Sequence, residues 1–223
     1  MNITLHHAHD SRSLRVLWLL NELGVDFTLV VHDFFDKSLR SPDYAKLSLA
    51  GRVPMLVIDG TVMAESGAMV EYLCEMFPDA GFGRAAGQVG RLEWLDWVHY
   101  AETIGQHCAN LTQSHIMLRE DWMKSKTLQR LEAKRLERVL TRVEQQLSDG
   151  RDYLLGDFSG ADCGVGYGVK VAARFVRFDH LPYVAAYFER IAARAAYQAS
   201  LPPKGAQLIY RQEFYEMPDV QNG

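Results

Sequence analysis

The 223-residue chain has only three cysteines, Cys74, Cys108 and Cys163, and none belongs to a Cys-x-x-Cys pair. Thiols so few and so far apart exclude a disulfide scaffold and a dithiol centre, and they point to a reduced compartment with buried thiols. There is no basic excess either, since 24 Lys and Arg face 28 Asp and Glu for a net charge of −4. A dedicated polyanion binder usually carries such an excess, so no nucleic-acid partner is expected. No apolar run approaches the ~20 residues of a bilayer-crossing helix, and Met1 to His6 lacks the basic start and apolar stretch of a signal peptide. The expectation is a cytoplasmic protein without a membrane partner. Gly-rich phosphate loops of P-loop or dinucleotide spacing, internal repeats and low-complexity tracts are also missing.

What is there is enough length and apolar content for a sizeable core, and at roughly 150 residues per domain it suggests two unequal domains. Residues 3–6 alternate apolar and polar, His9 to Ser13 is a polar break, and Leu14, Val16, Leu17, Leu19, Leu20 and Leu23 follow at helical spacing up to Gly24. This reads as strand, loop, helix. Phe27 to His32 has strand composition, Ser41-Pro42 opens a short helix, and Arg52 to Ile58 reads as a strand. Asp59-Gly60 is a tight hairpin turn before a returning strand, and Glu65-Ser66 begins a helix that Pro78 ends.

The expected organisation is βαβαββα over residues 1–79, a Gly-rich linker over 80–90 and an all-helical domain over 91–223. Its helices fall near 91–118, 125–148, 159–176 and 182–195. Residues 1–80 hold 6 basic and 11 acidic side chains, net −5, and the remainder holds 18 and 17, net +1. Neither half suits a polyanion.

Several histidine groupings carry no chemistry on inspection. In a strand His7 and His9 share a face while His6 points the other way, which is awkward for a three-histidine metal site. His99, His107 and His115 recur every eight residues, so successive side chains are rotated by ~80° around a helix. No metal is expected. Glu120 and Asp121 sit in charge-rich sequence without a second signal.

Three weak signals remain in the first 66 residues: the hydroxyl pair Ser11 and Ser13 before the first helix, Val53-Pro54 opening a strand, and Glu65-Ser66 opening a helix. With the stretches Ser11 to Gly24, Arg40 to Tyr44, Leu49 to Leu56, Ala64 to Leu73 and Tyr153 to Asp162, they make the sequence resemble the cytosolic glutathione transferase superfamily over roughly residues 1–195. The resemblance implies a thioredoxin-like N-terminal domain followed by a helical-bundle domain, a homodimer, and glutathione as the bound thiol co-substrate. It implies that Val53-Pro54 is a cis peptide pairing with the cysteinyl backbone of glutathione. Glu65 and Ser66 would hold the γ-glutamyl group, with donors from the helix N-terminus, and Arg40 and Arg52 would lie near the glycyl end.

Such a site must activate a thiol. A cysteine thiol near pKa ~8.5 is a few per cent thiolate at pH 7, and lowering it by ~2 units needs about 2.7 kcal/mol. One hydrogen bond to a charged sulfur, at ~1.5–3 kcal/mol, plus a helix N-terminus at ~0.3–1 kcal/mol supplies that. Ser11 stands at the spacing before Arg15-Val16 that serine-type members favour, with Ser13 as the alternative and better placed as a helix cap. The loop has no cysteine and residues 2–7 have no tyrosine, so cysteine-type and tyrosine-type members are poor models.

The implied activity is conjugation of glutathione to small apolar electrophiles, with peroxidase activity as an extension. A non-catalytic binding module and a glutathione-dependent lyase or dehalogenase are the alternatives. Trp94, Trp97, Tyr100 and Ile104 form a helical stripe of core or interface type, while Tyr100, His107 and Asn110 are candidate linings of a second-substrate pocket. Ser159 with Asp162 has capping-box spacing and reads as structural.

Overall fold

The computed structural model describes residues 1–218, so positions 219–223 of the expected helical domain lie outside the described residues. The chain divides into two units, residues 1–94 with 192–209, and residues 95–191 with the tail from Tyr210.

In the first unit β1 (Ile3–Ala8), α1 (Ser13–Leu23), β2 (Thr28–His32), α2 (Pro42–Leu47), β3 (Met55–Ile58), β4 (Thr61–Met63) and α3 (Ser66–Met76) follow the expected βαβαββα order. The sheet runs β2-β1-β3-β4, with β1 parallel to β2 and antiparallel to β3. Register places Leu5 opposite Leu29 on one side and Leu56 on the other. The β3–β4 hairpin turns on Asp59 and Gly60, both at positive φ (47° and 86°), the two left-handed positions that a twist-matched two-residue hairpin turn requires.

All eight residues from Ser13 to Leu20 are buried, which explains why apolar residues occupy more than one face of α1. Full burial of Trp18, Leu19 and Leu20 at about 1.5–3 kcal/mol each makes this helix a main contributor to the core. Gly24 then closes it in the left-handed conformation at φ 63°.

The second unit holds α4 (Arg91–Thr112) from residue 95 onward, α5 (Lys126–Leu147), α6 (Gly160–Ala172) and α7 (Pro182–Ala192) up to Ile191. The helix expected over 91–118 ends its α-helical run at Thr112 and continues as one wide π turn, Gln113–Met117. Two glycines let α6 approach α4: a Cβ on Gly164 would fall 2.9 Å from Ala101 Cβ, and one on Gly168 would fall 2.8 Å from Ile104 Cγ2. Asp162 at the start of α6 accepts from Ser159 N (2.8 Å), Leu154 N (3.1 Å) and Tyr187 OH (3.1 Å), the capping box that Ser159 and Asp162 suggest.

The helix expected over 182–195 is broken, and α8 (Ala195–Ala199) belongs to the first unit. Arg194 leaves helical geometry (φ −70°, ψ 132°) and grips the Glu22 carboxylate with Nε at 2.6 Å and Nη2 at 2.8 Å. Tyr197 packs edge-on to Trp18, with ring centroids 5.0 Å apart. The bidentate pair outweighs a few tenths of helix propensity, so the break follows from a contact distant in sequence.

Candidate active site

The loop from β1 to α1 gathers the hydroxyl pair. Asp10 takes a positive φ of 59°, and its carboxylate accepts from Ile209 N at 3.1 Å, which fixes the turn. Ser11 and Ser13 then lie hydroxyl to hydroxyl at 2.6 Å, with exposures of 8% and 0%. Ser11 Oγ donates to Ala8 O at 2.8 Å and accepts from Ser13 N at 3.2 Å.

Ser13 does not cap α1, as its position suggests. The N-cap is Arg12, without a side-chain cap bond, and Ser13 Oγ turns back to β1, meeting His7 Nδ1 at 2.7 Å and accepting from Ala8 N at 3.2 Å. The physical reason is burial: with no water beside it, this hydroxyl takes its partners from the strand end that the Asp10 turn folds against it.

His7 is buried, and burial, followed by the nearby His9 charge, pushes its pKa down to about 4. Its ring is therefore neutral at pH 7, one nitrogen a donor and the other an acceptor. On the far side His7 Nε2 meets His9 Nδ1 at 3.3 Å. His6 points the other way, as strand alternation requires, and stacks on His32 with centroids 5.3 Å apart.

The second and third signals also fall in this unit. Val53-Pro54 is a cis peptide, and the chain before it is anchored by Tyr44 OH donating to Arg52 O (2.7 Å) and by Ser48 Oγ bonded to Arg52 N (3.1 Å) and O (3.2 Å). Burial pushes the Tyr44 phenol up to about 12, so it stays a donor throughout the physiological range. Val53 is half-buried, while Arg40 and Arg52 are exposed.

Glu65 is the N-cap of α3 and is exposed, and Ser66 is its first helical residue and buried. Arg15, 1% exposed on α1, donates from Nη1 to Ser66 Oγ at 3.2 Å and so ties the start of α3 to the helix that Ser13 begins. An α-helix N-terminus with open N–H groups and a guanidinium beneath it favours an anion.

The three second-substrate candidates are in the other unit, and their polar ends are engaged. Tyr100 OH donates to Val139 O at 2.9 Å and its ring lies 4.3 Å below the Arg142 guanidinium. His107 Nδ1 (2.8 Å) and Asn110 Nδ2 (2.9 Å) converge on Glu132 Oε2, and Arg135 takes Oε1 at 2.6 Å. Burial works against the Glu132 charge, but these hydrogen bonds outweigh it and hold the carboxyl below its ordinary range.

Among the described residues no three His, Cys, Asp or Glu are arranged to hold a metal, and no helix is long and apolar enough to cross a membrane. Sequence reasoning passed over His7 and Arg15. The first was weighed only as a metal ligand. The second had a signal, a lone charge inside the apolar run Leu14 to Leu20.

Residues 5–81 match the family model described as glutathione S-transferase, N-terminal domain. Glutathione S-transferase GST-4.5 of Xanthomonas campestris is 30% identical over 171 residues, covering 75% of this chain and 83% of the relative. Glutathione S-transferase 3 of Schizosaccharomyces pombe is 38% identical over 101 residues, 45% of this chain, and the chain spans 41% of that relative's length. The crystal structure of a glutathione transferase from Methylococcus capsulatus superposes with a TM-score of 0.76 at 27% identity, covering 89% of this chain and 96% of the other.

Proposed function

The chain belongs to the glutathione S-transferase family, and on that premise we propose that it activates the thiol of bound glutathione through Ser11 and transfers the thiolate to a small apolar electrophile. The observation that carries this reading is the Ser11 hydroxyl itself. It sits two residues before the first helical residue of α1, at a strand end, in the same unit as a cis Val53-Pro54 peptide and the Ser66 helix start.

Each proposed role follows from chemistry. Val53 offers backbone groups to the cysteinyl segment of the tripeptide and Pro54 sets their direction. Glu65, Ser66 and the α3 N-terminus take the amino and carboxylate ends of the γ-glutamyl group, the acid binding the ammonium and the helix N–H groups the carboxylate. Exposed Arg40 and Arg52 suit the glycyl carboxylate. A Ser11 hydrogen bond to sulfur favours the charged form and lowers the thiol pKa.

Tyr100, His107 and Asn110 belong to this proposal as linings for the electrophile. Their polar ends are tied to Val139 and Glu132, which suits fixed walls rather than proton donors. Reduction of organic hydroperoxides, homodimer formation and a cytoplasmic location complete the reading.

The test is retention on immobilised glutathione followed by conjugation to a general aromatic electrophile. Ser11→Ala is expected to stay on the column and lose at least tenfold in conjugation rate at pH 6.5, because the thiolate fraction falls. Retention with no conjugation by the wild type would instead favour a binding module.

A further inference from the structure

Two of the polar side chains around Ser11 have no stated role in thiol binding, yet they are among the most deeply buried in the unit, Ser13 at 0% and His7 at 1% exposure. They form one line of contacts: Ser11 Oγ to Ser13 Oγ at 2.6 Å, Ser13 Oγ to His7 Nδ1 at 2.7 Å, and His7 Nε2 to His9 Nδ1 at 3.3 Å. The line leads out of the core. His9 is only half-buried and lines a cavity of about 300 Å³ with His32, Asp33, Asp36, Pro203 and Gln207.

Every atom on this line can both give and take a proton. A hydroxyl has one proton and two lone pairs, and a neutral imidazole has a donor on one nitrogen and an acceptor on the other. An arginine or lysine in any of these places would interrupt the line, because neither has an acceptor.

We propose that Ser13, His7 and His9 form a proton wire that carries the thiol proton of bound glutathione from Ser11 to the cavity and leaves every donor on the wire turned toward the sulfur. This rests on the assignment of Ser11 to the thiol. At the start S–H donates to Ser11 Oγ, the single Ser11 proton turns from Ala8 O to Ser13 Oγ, Ser13 donates to His7 Nδ1, and His7 Nε2–H to His9 Nδ1. Four protons then move one bond each: the S–H bond breaks, Ser11 and Ser13 each receive a proton as they lose one, His7 gains one at Nδ1 as it loses one at Nε2, and His9 gains one at Nδ1. His9 becomes an imidazolium and gives its Nε2 proton to water in the cavity.

No group on the wire other than His9 changes its charge. The product arrangement is His9 to His7, His7 to Ser13, Ser13 to Ser11 and Ser11 to the thiolate, each link polarising the next. Asp10 and Asp33 favour the charged form of His9, against its burial, and His9 is the charge that acts on His7. Ser13 and His7 are positioning residues in this scheme, since only Ser11 meets the sulfur.

The test is an ultraviolet thiolate titration of glutathione bound to the full-length wild type, Ser11→Ala, Ser13→Ala, His7→Leu and His7→Asn, with affinity and thermal unfolding followed in parallel. Ser13→Ala and His7→Leu are expected to raise the bound thiol pKa by about half a unit to one unit, with glutathione affinity within twofold of wild type. His7→Asn keeps an N–H near Nδ1 and is expected to recover part of the shift.

If Ser13→Ala ionises like wild type while Ser11→Ala loses the shift, the wire is refuted and the Ser11 reading stands. If Ser11→Ala also ionises like wild type, the Ser11 reading fails and the wire fails with it. Should His7→Leu not fold, Ser13→Ala decides the matter. A His7→Asn variant no better than a folded His7→Leu would point to packing and overturn the donor role.

Discussion

Lowering the pH from 7 to 5 should destabilise this protein through His7 alone by about 2 kcal/mol. Burial, then the neighbouring His9 charge, lowers the His7 pKa to about 4 from the ordinary 6.5. A base whose folded pKa is depressed is held neutral by the fold, so its contribution is complete above the unfolded pKa and is lost as pH falls through 6.5 toward 4. With those two values the unfolded state binds nearly one more proton than the folded state at pH 5, and integration gives about 2 kcal/mol between pH 7 and pH 5.

The assay is equilibrium urea unfolding of the wild type and His7→Asn at pH 7, 6 and 5. The absolute stability of the variant also registers lost hydrogen bonds, so the pH slope is the quantity to compare. Burial likewise lowers the pKa of His6, His9, His32 and His115, and these sites contribute to both proteins and largely cancel in the difference. A wild-type slope no steeper than that of His7→Asn would refute the buried, neutral His7 on which the wire depends.

Two further outcomes test the frame that holds the site. Asp162→Ala removes the acceptor of Ser159 N, Leu154 N and Tyr187 OH inside the core, and is expected to cost about 3 kcal/mol or more in equilibrium unfolding, while the thiol titration of the folded fraction stays at the wild-type value. Gly168→Val drives a branched side chain into Ile104, whose Cγ2 is 2.8 Å from a Cβ at that position, and is expected to lower stability by about 1–3 kcal/mol in thermal unfolding.

The βαβαββα order was legible because its signals are local: the alternation in β1, the apolar series ending at Gly24, Ser41-Pro42, and Asp59-Gly60 with both residues at positive φ. The break between α7 and α8 was not. Arg194 leaves the helix for Glu22, 172 positions earlier, and nothing near Arg194 in sequence announces it. The π turn after Thr112 was hidden for a related reason, since Thr112 Oγ1 is held by Cys108 O (2.7 Å) and by the distant Tyr210 OH (2.8 Å).

At the site, the hydroxyl pair and the Val53-Pro54 step stood out as residue types in order. The role of Ser13 did not, because its spacing is that of a helix cap and only the turn at Asp10 directs its hydroxyl to His7. His7 itself shares a strand face with His9, which sequence periodicity does show. That the face meets Ser13 rather than a metal is a matter of packing six residues across a strand-to-helix boundary.

The central claim is that Ser11 lowers the pKa of a bound thiol, and the most direct measurement is the ultraviolet pH titration of glutathione on the wild type and on Ser11→Ala. The account expects bound glutathione to ionise about 2 units below its solution value on the wild type, and the shift to disappear in the variant. Glutathione that binds the wild type with a solution-like pKa, or that keeps its lowered pKa in Ser11→Ala, would contradict it.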